Sequence, residues 1–177
     1  MTSLLAAALI AALPAPGLAV GDSVSPFEPY WINGDYADTN MCPVCEYTIQ
    51  PMVYVWTHGS GAKTLQKIVT TIDAIDAAAP EESLHTFLVE ANQEANDKAS
   101  IARLRGWADA WKPQAMAFLS RPVKLKVLMK NYKLEEHERW KTVVYVVKGR
   151  KVTQTFVDPS EEALPEISAA INAILAP

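Results

Sequence analysis

The chain of 177 residues contains two cysteines, Cys42 and Cys45, in the sequence Cys-Pro-Val-Cys. Two thiols at this spacing can close a small disulfide ring. They can also exchange disulfides, because one thiolate attacks a substrate disulfide and the other resolves the mixed disulfide. Two thiolates would alternatively fill half of a tetrahedral zinc site. The pair therefore has three interpretations: a redox-active dithiol, an inert structural disulfide or part of a metal site.

The neighbours of the two cysteines differ in polarity. Cys45 leads directly into Glu46-Tyr47 and a predicted buried strand, whereas Cys42 follows the polar stretch 38–40, Asp-Thr-Asn. Glu46 would raise the pKa of the adjacent thiol. Exposure and thiolate character decide which sulfur reacts. We therefore expect Cys45 to be held more deeply and Cys42 to be the more reactive catalytic residue.

A metal site would need further ligands beside the two cysteines. His58 is nearest in sequence, His85 and His137 are distant, and Met52 would suit only a soft ion such as Cu(I). Cys45 is followed by glutamate, so the c-type haem attachment pattern is not met. We accordingly predict no metal ligand and no cofactor.

The first residues have the pattern of an export signal. The stretch 4–13 is an apolar run of about ten residues, half the length that a membrane span needs. Gly17-Leu18-Ala19 is a small-x-small cleavage pattern, although Met1-Thr2-Ser3 lacks the usual basic residue. We predict a signal peptide over 1–19, cleavage after Ala19, and a periplasmic or secreted protein. An oxidising compartment would favour the disulfide.

Composition excludes some partners. The formal net charge is −4, and basic and acidic residues are mixed along the chain, which argues against a nucleic-acid surface. No later stretch is apolar over the roughly twenty residues of a membrane anchor, so we expect a soluble mature protein. The length predicts one domain.

Hydrophobic periodicity predicts the elements that must position the cysteine pair. After an extended arm, strands and helices alternate, and two final strands around Lys148-Gly149-Arg150 form a hairpin. The last helix has Asp158 as N-cap, with Pro159 in its first turn and Glu161 in a capping box. The predicted strands are 51–56, 84–90, 123–129, 142–147 and 151–157, and the predicted helices are 64–79, 97–111 and a last one after Asp158 with a buried stripe over 164–174.

Several short motifs resemble those of a known superfamily. Val20-Gly21-Asp22 followed by Pro26-Phe27 is similar to the opening of redoxins, and the stretch 143–152 resembles their terminal hairpin. These motifs, in this order, resemble the redoxin branch of the thioredoxin-like superfamily, which holds peroxiredoxins and exported thiol-disulfide proteins. More narrowly, the stretch 42–56 looks like an uncharacterised group of exported bacterial proteins with C-x-x-C-x-Y before the first core strand.

The resemblance implies an α/β thioredoxin-like fold, with an N-terminal arm over 20–50 and a thioredoxin-like domain over 51–177. Two departures bear on function. The reactive cysteine of the family follows the first core strand, where this chain has Thr57-His58 and no cysteine. Lys141 stands where the family has a cis-proline. The leading hypothesis is thiol-disulfide exchange with a protein disulfide or dithiol client through Cys42 and Cys45. The alternatives are a non-enzymatic binding scaffold braced by a structural disulfide, and a metal-binding protein.

Overall fold

A computed structural model describes residues 14–58, 63–91, 97–120 and 124–176. These ranges contain five strands and five helices, with two short 3-10 turns, and the first helix lies within the arm. In chain order the elements are α1 (Pro43–Glu46), β1 (Met52–Thr57), α2 (Lys63–Ala78), β2 (His85–Glu90), α3 (Asp97–Trp111), β3 (Ala117–Leu119), α4 (Leu125–Asn131), β4 (Thr142–Lys148), β5 (Lys151–Val157) and α5 (Leu164–Leu175).

The strands form one mixed sheet in the order β3-β2-β1-β4-β5. β1 lies in the middle, parallel to β2 and antiparallel to β4, and its six residues are all buried. β4 and β5 form the predicted hairpin, with positive φ at Gly149 and Arg150 in the turn. This confirms the α/β thioredoxin-like fold, the interior position of the first strand and its place in one sheet with β4.

The two faces of the sheet carry separate cores, because side chains alternate along a strand. Val53 and Val55 of β1 pack with the apolar stripes of α2 and α5. Met52, Tyr54 and Trp56 point to the other face, where the arm and α4 cover them. The site described below lies on that second face.

The arm is held at both edges of the sheet. Trp31 pairs with Leu119 of β3, and Ser23 pairs with Lys151 of β5. Farther towards the N-terminus, Leu18 is buried in the core. Gly17 has a φ of +98°, and a Cβ there would lie 2.7 Å from the Tyr145 hydroxyl, so only glycine fits. The arm therefore covers part of each edge strand of the sheet.

One predicted strand was wrong, and one strand was not predicted. The predicted strand over 123–129 is helix α4 from Leu125 onward, and Val123 lies outside the described residues. The third strand is β3, whose three residues were too short to give a strand pattern. Leu125, Leu128 and Met129 are all buried, and their three- and four-residue spacing is the helical signal that outweighs the alternation.

The predicted start of the last helix was also wrong. Asp158 has a φ of +45°, and its carboxylate accepts hydrogen bonds from the backbone N–H groups of Lys141 (2.7 Å) and Thr142 (2.8 Å). It therefore caps the entry into β4, and α5 begins six residues later at Leu164. The stripe of α5 is confirmed, with Ile167, Ile171 and Ile174 buried. Within the described residues, no helix has the length and apolar character to cross a bilayer.

Candidate functional site

Cys42 and Cys45 form a disulfide, with their Cα atoms 5.3 Å apart, as the spacing predicts. Cys42 is the N-cap of α1 and Pro43 is its first residue, a position where the missing N–H costs nothing. The N–H of Cys45 donates to the Cys42 carbonyl and also lies 3.2 Å from the Cys42 sulfur. A donor at this position stabilises a thiolate on Cys42 more than the thiol when the disulfide opens.

The two sulfurs differ in access, in the opposite sense to the expectation. Cys45 is exposed, whereas Cys42 is half-buried and packs against the core cluster on the arm face. Polar neighbours before Cys42 did not make it the more exposed residue, because Cys42 packs against a core cluster that includes Trp31, whose indole N–H donates to the carbonyl of Met41 at 2.8 Å. Cys45 is therefore the more exposed residue of the pair.

The turn that carries the cysteines is anchored independently of the disulfide. Val44 is buried at 1% exposure, and the Thr48 hydroxyl donates to the carbonyl of Cys45 at 2.9 Å. The Tyr36 hydroxyl donates to the Glu46 carboxylate at 2.8 Å, which raises the pKa of Tyr36. Because buried and hydrogen-bonded neighbours hold this turn, its backbone can stay in place when the disulfide opens.

A cleft of about 260 Å³ opens beside the disulfide. One wall is the arm at 26–28 (Pro-Phe-Glu), another is the cysteine pair, and the third is α4 with the preceding Lys124. Phe27 and Leu128 are both 5% exposed, and Val127 is 60% exposed. The sequence did not predict this wall, because α4 was interpreted as a strand. The helical spacing of Leu125 and Leu128 was the signal that could have revealed it.

The position where the family carries its reactive cysteine lies at the end of β1. Thr57 is fully buried there, and a ring nitrogen of His58 is hydrogen-bonded to the Trp140 carbonyl. The ring centroids of His58 and His137 lie 5.5 Å apart. Burial is the main cause that lowers the pKa of His137, and repulsion from His58 is the second cause. Neither histidine lines the cleft beside the disulfide.

The structure does not bring the sequence-predicted metal candidates to the cysteines. His85 stacks on Tyr47 with 3.7 Å between ring centroids, and burial lowers the pKa of His85. Met52 is buried in the core, where its sulfur contacts the Tyr54 hydroxyl. Within the described ranges, no group of three or more His, Cys, Asp or Glu side chains could hold a metal ion.

Among known proteins, those found to be similar to this chain are similar in structure and not in sequence. No protein-family model matches the chain, and no curated protein matches its sequence. A peroxidoxin, BcpB, from Mycobacterium tuberculosis superposes with a TM-score of 0.62 at 15% identity, covering 88% of this chain and 97% of that one. A protein assigned as the thiol:disulfide interchange protein DsbE from Chlorobium tepidum gives 0.61 at 13%, covering 90% and 99%. Copper-bound ScoI from Arabidopsis thaliana gives 0.56 at 11%, covering 88% and 99%. These likenesses establish the thioredoxin-like fold.

Proposed function

We propose that this protein exchanges disulfides with protein thiols through Cys42 and Cys45, and that the client reacts at Cys45. The observation that carries the proposal is the asymmetry of the pair. Cys45 is exposed and is bonded to the half-buried Cys42, whose sulfur lies 3.2 Å from the Cys45 backbone nitrogen. The fold is shared with proteins named for peroxide reduction and disulfide interchange, which supports a redox class.

The exchange begins when a client thiolate attacks the Cys45 sulfur in line with the disulfide. The bond between the two sulfurs breaks, and Cys42 leaves as a thiolate beside the Cys45 N–H. A leaving thiol of lower pKa leaves faster, so the donor favours this direction. A second client thiolate then attacks the client sulfur of the mixed disulfide and releases Cys45. The client dithiol becomes a disulfide, the protein pair becomes a dithiol, and the two client protons end on the protein thiols or in solvent.

Export belongs to the same proposal. The apolar run at 4–13 supports a signal peptide, and a periplasmic or extracellular compartment would keep the pair oxidised and ready to accept electrons from a client dithiol. Mass spectrometry of the protein from its native host tests this part, since an intact N-terminus would contradict export by cleavage.

Two single-cysteine variants test which sulfur meets the client. Cys42→Ser leaves Cys45, and Cys45→Ser leaves Cys42. Each is mixed with a peptide activated as a disulfide with a coloured aromatic thiol, and release of the coloured thiolate is followed from about pH 6 to about pH 9, so that thiol pKa is separated from access. We expect the Cys42→Ser variant to react several times faster once both thiols are ionised. Faster reaction of Cys45→Ser would refute the assigned roles.

The reduction potential of the wild-type pair separates exchange from a structural brace. Structural disulfides lie below about −300 mV, and labile or catalytic ones lie above it. We expect a value above this boundary, together with transfer of the disulfide to a reduced dithiol peptide. A potential below it and no transfer would favour the non-enzymatic scaffold.

A further inference from the structure

One exposed large apolar side chain lies beside the disulfide. Within the described parts of the chain, three large apolar residues are exposed: Val20 at 66%, Ile49 at 82% and Val127 at 60%. Val127 lines the cleft together with both cysteines, and Ile49 follows Cys45 by four positions. Val127 therefore gives the cleft beside the disulfide an exposed apolar surface, whereas Val20 does not line that cleft.

The floor of the cleft is rigid and apolar. Phe27 packs its ring against Tyr54, Trp56 and Tyr132, with ring centroids 6.0, 5.3 and 6.2 Å away. Leu128 is buried beside it at the cleft, 5% exposed. A surface already fixed in the free protein loses little conformational entropy when a ligand binds.

The size and charge of the cleft limit the kind of group that it can bind. Its volume of about 260 Å³ lies below the range of about 300–1,000 Å³ of small-molecule sites, and suits one or two side chains. One acid, Glu28, and one base, Lys124, line it, so it offers little net attraction to a charged thiol such as glutathione. For the exchange proposed above, the occupant must carry a thiol.

We propose that this cleft binds a large apolar side chain next to the reacting cysteine of an extended polypeptide client. The inference rests on the proposed exchange at Cys45 and adds the kind of client sequence that the site selects. The apolar residue of the client lies against Phe27, Val127 and Leu128, and its cysteine sulfur reaches the Cys45 sulfur in the same cleft. The cleft lies between the arm and α4, apart from the end of β1 where the family carries its reactive cysteine.

The test uses the Cys42→Ser protein and peptides activated as disulfides with a coloured thiol. The peptides differ only in the residue beside cysteine, which is leucine or serine, and activated glutathione is the third substrate. Each rate is divided by the rate of the same substrate with a free small thiol, which removes differences in intrinsic reactivity. We expect the leucine peptide to react about fivefold faster than the serine peptide, because it buries apolar area on the cleft.

Two further substitutions, each made in the Cys42→Ser protein, give a matched pair. Val127→Ser should remove most of the preference for leucine, whereas Val20→Ser, at an equally exposed valine that does not line the cleft, should leave it unchanged. Equal normalised rates for the leucine and serine peptides would overturn the cleft proposal and leave exchange standing. Fastest reaction with glutathione would overturn it in favour of a small thiol. If no substrate reacts, the proposed exchange itself fails.

Discussion

The docked N-terminal segment gives a quantitative prediction. The Leu18 side chain is 3% exposed, in the core between the sheet and the arm. Its backbone is held as well: Leu18 N–H donates to the Tyr145 hydroxyl at 3.2 Å, and the Thr155 hydroxyl donates to the Leu18 carbonyl at 2.6 Å. Gly17 N–H donates to the Lys133 carbonyl at 2.8 Å. A chain that starts at Val20 loses all of these contacts.

The size of the loss follows from opposing contributions. Burying the Leu18 side chain contributes about 2–3 kcal/mol, and three hydrogen bonds contribute about 1 kcal/mol each. Ordering the backbone of the three residues 17–19 costs about 1 kcal/mol per residue. The net stabilisation is then about 2–3 kcal/mol. Leu18→Ala should cost no more than this, because the segment detaches once its contacts no longer offset the ordering cost.

Urea unfolding followed by circular dichroism measures the effect. Three proteins are compared: a chain beginning at Pro14, the same chain with Leu18→Ala, and a chain beginning at Val20. With a urea dependence of about 2 kcal/mol per molar, the midpoint should fall by about 1 M in the second and third. Val20→Ala, at a residue 66% exposed, is the control and should change stability by less than about 0.5 kcal/mol.

Equal midpoints for the chains beginning at Pro14 and Val20 would refute the reasoning, since Leu18 would then contribute nothing to stability. The result also bears on processing. A mature protein that begins at Val20, as the cleavage pattern predicts, would lack the docked segment and its contribution.

Three other substitutions have defined outcomes. Asp73→Asn should lower the free energy of unfolding in urea by about 2–3 kcal/mol, because the buried Asp73 carboxylate accepts hydrogen bonds from the backbone N–H groups of three successive residues before β3. Asp109→Asn, at an exposed position on α3, is the control. Equal effects of the two substitutions would contradict this role of Asp73. Arg103→Met should lower the free energy of unfolding by about 3 kcal/mol, because it leaves the fully buried Glu90 carboxylate without its ion pair. Adding Glu90→Leu should recover most of this loss. If the effects of the two substitutions are additive, Arg103 and Glu90 are not coupled. Burial lowers the pKa of His85 below its unfolded value of about 6.5, so the unfolded state binds more protons just below that pH. The free energy of unfolding should therefore fall as pH drops through about 6.5. His85→Gln should weaken this dependence of stability on pH, and an unchanged dependence would show that other groups cause it.

Local pattern was sufficient for the long elements of the sequence. The apolar spacing of Leu65, Ile68 and Ile72 predicts α2, since these positions fall on one face of a helix and all three are buried there. The alternating and β-branched stretches likewise predicted the strands β1, β4 and β5. Element order then allowed the fold to be inferred, because crossover connections permit few arrangements of such strands. The spacing of Cys42 and Cys45 allowed a disulfide among other states, and the structure shows the disulfide.

Where the local sequence signals were weak, tertiary contacts decided the secondary structure. The stretch from Leu125 has both alternation and helical spacing, and burial of Leu128 and Met129 against the sheet selects the helix. Asp158 has the composition of a helix cap, yet the backbone donors at the start of β4 take its carboxylate. Neither outcome is visible in a short window of sequence, because the competing partner is distant along the chain.

The exposure of the two cysteines was decided in the same way. Polarity of the preceding residues predicted that Cys42 is the more accessible, but Cys42 packs against the core cluster on the arm face and Cys45 is exposed. The cleft beside Cys45 joins residues of the arm to residues of α4 that lie about a hundred positions later. The sequence by itself determined that Cys42 and Cys45 are close enough to pair, and packing between distant segments determined which of the two residues is the more exposed.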